Sequence, residues 1–129
     1  MPDTRKEDLC KHRFAQSEET LRVAKDCLNN RYLKDSINRS YYAAFYAVRA
    51  ILALDTVDFK RHKDVVAYFN KTYVANGKFD REIGRKLSKL QQIREKSDYN
   101  DYYIVSFEEA EEQLNASDLI IKAVKEFIK

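Results

Sequence analysis

The sequence predicts an all-α protein, an up-and-down bundle of four to five antiparallel helices. Gly occurs only twice and Pro once in 129 residues, so the residues that punctuate strands and tight turns are nearly absent. Apolar residues recur at steps of three and four along five segments, and short polar connections between long helices favour antiparallel neighbours. The length is that of one domain, and we predict a single helical domain over residues 1–129.

The first helix is predicted to open at Asp3 or Thr4, because either side chain can accept hydrogen bonds from the free amides of a first turn. It should end near Leu28. Its core-facing stripe is Cys10, Phe14, Ser17, Leu21, Ala24 and Leu28. Asn29 and Asn30 suit the turn that follows, since asparagine tolerates the left-handed conformation that ends many helices.

The second helix, from about Tyr32 to Leu54, is the most apolar stretch of the chain. Its main stripe is Leu33, Ile37, Tyr41, Phe45, Val48 and Leu52. A second set lies beside this stripe and comprises Arg39, Tyr42, Tyr46 and Arg49. A helix with apolar residues over so much of its circumference lies at the centre of a bundle or at an interface. We therefore predict a homodimer that buries Tyr42, Tyr46 and Arg49; the alternative for the aromatic residues is a ligand cage.

A polar connection, Asp55 to Arg61, precedes a third helix predicted from about His62 to Ala75. Its inward residues are Val65, Val66, Phe69 and Tyr73. Gly77 should end this helix, because glycine adopts the left-handed conformation past a helix end without strain.

A fourth helix is predicted from a cap at Asp80 to about Asp98 or Tyr99. Ser106 and Glu109 have the spacing of a capping box, which predicts the start of a fifth helix. The inward residues of this last helix are Phe107, Ala110, Leu114, Ser117, Ile121, Val124 and Ile128.

Composition excludes several classes of protein. The net charge of +3 comes from 24 basic and 21 acidic residues, a near balance that is typical of solvated helix surfaces. The charge alone therefore does not indicate a binding partner. Cys10 and Cys27 lack a CxxC spacing, which favours free thiols in a reducing, cytoplasmic compartment. No apolar run approaches the roughly 18 residues that span a bilayer, and the start MPDTRKEDL is too polar for a secretory signal, so we expect no membrane association. Motifs for a metal, a P-loop, a nucleophile elbow or a dinucleotide are absent, and we expect no cofactor.

One pattern in the fourth helix breaks the rule that core-facing positions are apolar. The stripe Ile83, Leu87 and Leu90 continues, at steps of four, to Arg94 and Asp98. Burying a charge costs several kcal/mol, about 3–5 when a partner is removed, unless the charge is paired or lines a wet cleft. Arg94 and Asp98 therefore either latch the structure or serve a site.

Two neighbouring segments could join such a site. Tyrosine rings in the segment 99–103, beginning with Tyr99, can stack nucleobases while a guanidinium grips phosphate. The alternative is that these tyrosines seal the end of the bundle with their hydroxyls in water. His62 and Lys63 belong to a basic cluster, residues 60–63, where a helix begins, and helix amino ends attract anions. The alternative for this cluster is a solvated loop.

The residues 38–52, NRSYYAAFYAVRAIL, with His62-Lys63, Phe69 and Gly77, and with Arg94 followed by Asp98-Tyr99, resemble the HEPN domain family (higher eukaryotes and prokaryotes nucleotide-binding). The resemblance covers most of the chain. The combination of YYAAFYAVRAIL, then HK, then R, three residues and DY is similar to the small stand-alone prokaryotic branch, whose members are often encoded beside minimal nucleotidyltransferases.

The resemblance implies a bundle of four or five helices, frequently a homodimer, that acts in RNA- or nucleotide-linked stress and toxin–antitoxin systems. Many members are metal-independent ribonucleases with an arginine followed, after four to six residues, by a histidine. The histidine would serve as acid or base and the arginine would steady the phosphate. Arg94 matches the arginine, but Asp98 and Tyr99 stand where the histidine is expected, and no histidine follows.

Three hypotheses follow from the sequence. The leading one is a non-catalytic or weakly catalytic HEPN module that binds a nucleotide, RNA or a nucleotidyltransferase partner; its candidate ligand-binding residues are Arg94, Asp98, Tyr99, His62 and Lys63. The second is a metal-independent endoribonuclease in which Arg94 clamps phosphate and His62 or Tyr99 is the acid or base, which requires His62 to approach Arg94 across the bundle or a dimer. The third is a purely structural helical dimer latched by Arg94 and Asp98.

Overall fold

A computed structural model describes residues 4–129 of the chain. The helices in this range are α1 (Arg5–Asn29), α2 (Leu33–Leu54), α3 (His62–Phe69), α4 (Arg81–Tyr99) and α5 (Phe107–Ile128), with a π-helical turn, Asn70–Val74, directly after α3. Residues 4–129 contain no strand, and the predicted all-α bundle is confirmed. None of these helices is both long and apolar enough to cross a membrane.

The centre of the bundle is α2, which packs against α1, α4 and α5. Its contact with α1 is the most extensive and includes buried hydroxyls: Ser17 donates to the Ala43 carbonyl at 2.6 Å, and Ser36 donates to the Ala24 carbonyl at 2.9 Å. The predicted stripes of α1 and α2 are buried, except that Leu33 is half-buried. The helical periodicity therefore identified the core of this pair correctly.

The turn between α1 and α2 differs from the prediction. Thr4 precedes α1, but its side chain makes no capping hydrogen bond, and Asp3 lies outside the described residues. The left-handed residue is Arg31, with φ at 64°, whereas Asn30 has φ at −92°. The Arg31 guanidinium lies 4.2 Å from the centroid of the Phe107 ring, a contact that helps offset the cost of this conformation, about 1–2 kcal/mol.

The third helix occupies the predicted range, but its second half is wider than an α-helix. The Ala75 amide donates to the Asn70 carbonyl at 2.8 Å, the five-residue step of a π-helix. Gly84 of α4 faces this turn, where a Cβ would lie 2.9 Å from Asn70 Oδ1 and 3.2 Å from Val74 Cγ1. The missing side chain therefore lets α4 approach the π-helical turn closely. Gly77, with φ at 85°, follows the turn as predicted.

Asp55, directly after α2, ties that helix to the α3 region. Its Oδ2 accepts hydrogen bonds from the Tyr73 hydroxyl at 2.5 Å and from the Tyr68 hydroxyl at 3.1 Å. Burial, with the neighbouring Asp55 carboxylate, raises the pKa of Tyr73, so its phenol stays protonated and donates. This cluster fixes the connection from which α3 starts.

The predicted amino-terminal caps of α4 and α5 are both present, but the capping box of α5 is incomplete. Asp80 accepts from the Glu82 amide at 2.9 Å, and Ser106 accepts from the Glu109 amide at 3.0 Å. The reciprocal half of the capping box is wrong, because the Glu109 carboxylate accepts from the Tyr103 hydroxyl instead. This hydrogen bond, together with burial, raises the pKa of Tyr103 to about 12.

Candidate functional site

A groove separates the carboxyl-terminal half of α4 from the start of α3, and we refer to it as the Arg94 groove. Its volume is about 650 Å³, and its lining residues are Tyr42, Arg61, His62, Lys63, Gln91, Arg94, Glu95, Lys96, Tyr99 and Asn100. Four of the five candidate ligand-binding residues, Arg94, Tyr99, His62 and Lys63, therefore line one groove, although they come from two helices. Asp98 is the exception.

The Arg94 side chain is only 7% exposed, yet its guanidinium forms part of the groove wall. The guanidinium carbon lies 4.8 Å from the ring centroid of Tyr41, 5.5 Å from that of Tyr42 and 5.8 Å from that of Tyr99. The negative faces of these rings stabilise the cation. Burial opposes the charge of Arg94, but the three tyrosines outweigh it and raise its pKa, so the side chain stays charged.

The ion pair between Arg94 and Asp98 is loose. Arg94 Nη1 and Asp98 Oδ2 are 3.6 Å apart, and the same Asp98 oxygen accepts a shorter hydrogen bond, 3.0 Å, from Asn38. The Asn38 amide is in turn held by Arg39 at 2.7 Å. Among the described residues, Arg94 Nε has no hydrogen-bond partner. The carboxylate therefore leaves part of the arginine's donor capacity unused.

The prediction that the core-facing stripe of α4 continues to Asp98 is wrong. The Asp98 side chain is 26% exposed, at the rim, whereas Ser97 is the buried residue that follows Arg94 on the inner face. At 3.6 residues per turn, steps of four drift away from the core, and a step of three restores the direction. The loose pair and the exposed position of Asp98 also argue against a closed latch.

His62 lies beside the same tyrosines as Arg94. Its Nδ1 shares a hydrogen bond of 3.2 Å with the Tyr41 hydroxyl, and its ring lies 4.3 Å from the Phe45 ring between centroids. Burial lowers the pKa of His62, and the charges of Arg94 and Arg49 lower it further, so the imidazole is neutral at pH 7. His62 thus reaches the groove of Arg94 within one chain, across the bundle.

This arrangement brings together the groups that phosphate chemistry needs. A cationic fork, a neutral imidazole and an exposed ring, Tyr99 at 77% exposure, face one groove. If Tyr41 donates to Nδ1, the proton of the neutral His62 ring is on Nε2, which then donates a hydrogen bond to a phosphate oxygen. In the other tautomer, Nδ1–H donates to the Tyr41 oxygen and Nε2 is free to act as a base. Within residues 4–129, no group of His, Cys, Asp or Glu is placed to hold a metal ion.

The three predicted interface residues lie along one edge of α2. Tyr42 lines the Arg94 groove, Tyr46 is half-buried against Tyr42 at 5.9 Å between ring centroids, and Arg49 pairs with Asp58 at 3.3 Å. Their burial in a dimer stays a prediction.

Sequence reasoning missed one residue that organises the groove. Tyr41 was assigned to core or dimer packing, with a ligand cage as the alternative, and was not among the candidate site residues. It is fully buried, but its ring contacts Arg94 and its hydroxyl holds His62. Burial raises the pKa of Tyr41, which keeps its hydroxyl protonated. The one available signal was the hydroxyl of Tyr41, the single polar group in an otherwise apolar stripe.

Comparison with known proteins gives consistent similarities. The HEPN domain family model matches residues 10–127 of this chain. A UPF0332 protein of Thermotoga maritima is 36% identical over 92% of this chain and 85% of its own length. Two proteins of Methanocaldococcus jannaschii, named as candidate toxins, are 29% and 24% identical, each over 88% of this chain and over 84% and 77% of their own lengths.

Proposed function

We propose that this chain, which belongs to the HEPN domain family, is a nucleotide- or RNA-binding module of a toxin–antitoxin or stress-response system, with the Arg94 groove as its binding site. The observation that carries the proposal is the Arg94 guanidinium, held charged on three tyrosine rings at the groove wall with only a loose carboxylate partner. The similarity to candidate toxins supports the choice of system.

Binding follows from the chemistry of the lining residues. A phosphate oxygen displaces the 3.6 Å contact with Asp98 and accepts from the Arg94 fork, which is stronger because both partners are charged. Lys63 and Lys96 at the groove add attraction for the anion, and the exposed Tyr99 ring offers a stacking face to a base. These contacts recognise phosphate and any base, so we expect weak sequence preference.

The proposal includes two protein partners in the cytoplasm. One is a second copy of the chain, packed on Tyr42, Tyr46 and Arg49, because Tyr46 is an aromatic residue left half-exposed beside the groove. The other is a minimal nucleotidyltransferase, which the family branch suggests. Sedimentation is expected to give a dimer at micromolar concentration, and a monomer there and at higher concentration contradicts the homodimer.

A metal-independent endoribonuclease is the second candidate, and the placement of His62 in the Arg94 groove favours it. In that reaction, His62 takes the proton from a ribose 2′-hydroxyl, the 2′-oxygen attacks phosphorus, and the bond to the 5′-oxygen breaks to leave a 2′,3′-cyclic phosphate. The leaving 5′-oxygen takes a proton from water and departs as a hydroxyl, and the imidazolium of His62 returns its proton to solvent. Arg94 stabilises the charge that develops on the phosphate. Tyr99, which is exposed and whose hydroxyl lies 3.5 Å from Arg94, is the alternative acid or base.

One experiment separates the two candidates. Wild type, Arg94→Ala and His62→Ala are incubated with a mixed RNA pool in EDTA, and binding and cleavage are measured on the same samples. We expect the wild type to bind RNA without cutting it and Arg94→Ala to lose binding. Cleavage by the wild type that His62→Ala abolishes supports the ribonuclease instead. If the wild type neither binds nor cleaves RNA, both candidates are contradicted.

A further inference from the structure

A second groove runs between α4 and the π-helical turn, whose Asn70 and Val74 line it, and meets the Arg94 groove at Lys96. It has a volume of about 610 Å³, and the residues Arg81, Arg85, Lys89 and Lys96 line it along the helix. Lys96 also lines the Arg94 groove, so the two grooves adjoin at this side chain, and we call them together the trough. We call the second part the α4 groove.

The cations of the α4 groove are spaced along one helix face. Arg81, Arg85 and Lys89 follow one another at steps of four residues, which places them about 6 Å apart along the axis, and the distance from Arg81 to Lys96 is about 22 Å. Successive phosphates of an extended single strand have a similar separation. The trough beyond Arg94 therefore offers contacts to on the order of three nucleotides.

These cations are available to an external anion. Arg85 pairs with Glu82 at 2.7 Å, and Lys89 pairs with Glu112 at 3.4 Å. The side chains of both pairs are more than half exposed, and ion pairs so exposed contribute little to stability. No ion pair is found for Arg81 or Lys96 among the described residues. A phosphate can therefore replace either glutamate at small cost, and the groove has positive charge in excess.

Charge is segregated between α4 and its neighbour α5. The first half of α5 is acidic, with Glu108, Glu109, Glu111 and Glu112. A polyanion is repelled from that side and attracted to the α4 groove. The groove is also lined by the polar side chains of Ser88 and Gln92, which can donate hydrogen bonds to a phosphate backbone without reading its sequence.

We propose that the α4 groove is a phosphate track for single-stranded RNA, so that the ligand of the Arg94 groove is an oligonucleotide whose chain continues along α4 from Lys96 towards Arg81. This inference rests on the proposed function and deepens it, because it distinguishes a strand from a mononucleotide. The strand contributes one nucleotide to the Arg94 groove and its neighbouring phosphates to the α4 groove.

The test compares affinity with ligand length. Fluorescence anisotropy measures the binding of single-stranded oligoadenylates of about two, four and eight nucleotides, with adenosine monophosphate as competitor. The proteins compared are the wild type, the double variant Arg81→Gln with Lys89→Gln, and a control double variant, Lys122→Gln with Lys125→Gln. The control removes two exposed cations of α5, on another surface. We expect affinity to rise with length in wild type and control.

In the Arg81 and Lys89 double variant, the gain with length should be lost, and monophosphate binding should be unchanged. The negative slope of log affinity against log salt should become shallower by about 1.4. Three results overturn the phosphate track while the proposed function stands: equal effects in the control variant, no gain of affinity with length in the wild type, or polyglutamate that competes as effectively as RNA. Failure of wild type to bind any nucleotide overturns both.

Discussion

Replacement of Arg94 by glutamine is expected to weaken the binding of single-stranded RNA by about tenfold to a hundredfold. Glutamine keeps a polar but shorter side chain and removes the charge. Hydrogen bonds to charged groups contribute about 1.5–3 kcal/mol, and about 1.4 kcal/mol corresponds to a factor of ten in affinity. Lysine at this position keeps the charge without the planar fork and should lose less. Anisotropy titrations at one fixed salt concentration measure both effects.

A stability measurement on the same variants separates binding from folding. If Arg94 and Asp98 form a structural latch, removal of the arginine costs about 3–5 kcal/mol and leaves binding by the folded fraction unchanged. With the loose 3.6 Å pair, we expect a smaller loss of unfolding free energy and a large loss of affinity. Arg39→Gln is the matched control, because Arg39 also lies over Tyr42, at 5.1 Å from its ring centroid, but does not line the Arg94 groove.

Asp55→Ala is expected to lower the free energy of unfolding by about 2–3 kcal/mol. The Tyr73 hydroxyl is in a side chain only 4% exposed, and the substitution leaves it without its acceptor; Tyr68 loses a weaker bond. Urea unfolding measures the loss, and Tyr73→Phe with the double variant completes a cycle that isolates the coupling between the two residues.

RNA binding serves as the control for that substitution, because Asp55 does not line the Arg94 groove. Folded Asp55→Ala should bind RNA as the wild type does. A loss within about 0.5 kcal/mol, the range of ordinary surface substitutions, would mean that water replaces the carboxylate and that the cluster does not stabilise the junction.

Features that depend on local periodicity could be predicted from the sequence. The buried stripes of α1 and α2 were identified because burial follows the helical repeat, and Gly77 and Asp80 marked helix ends through their own conformational chemistry. The left-handed Arg31 could not be predicted, since a ring from a distant helix, Phe107, stabilises it. The π-helical turn likewise depends on its close contact with Gly84.

The candidate site could be predicted only in part, for a similar reason. Arg94 was conspicuous because a charge interrupts an apolar stripe, which is a property of one helix. The approach of His62 to the same groove depends on how α3 packs against α2, and a single sequence does not define that packing. Asp98 was misplaced because a drift of the helical repeat moves it to the rim.

Nuclear magnetic resonance of the ¹⁵N-labelled protein, titrated with a short single-stranded RNA, tests most directly the claim that the Arg94 groove binds phosphate. The Arg94 Nε–H resonance and the backbone amides of residues 61–63 and 94–100 are expected to shift progressively with RNA, and Arg94→Gln should abolish the shifts of the remaining groove residues. Shifts confined to α1 and α5, with the Arg94 resonance unchanged at saturation, would contradict the claim.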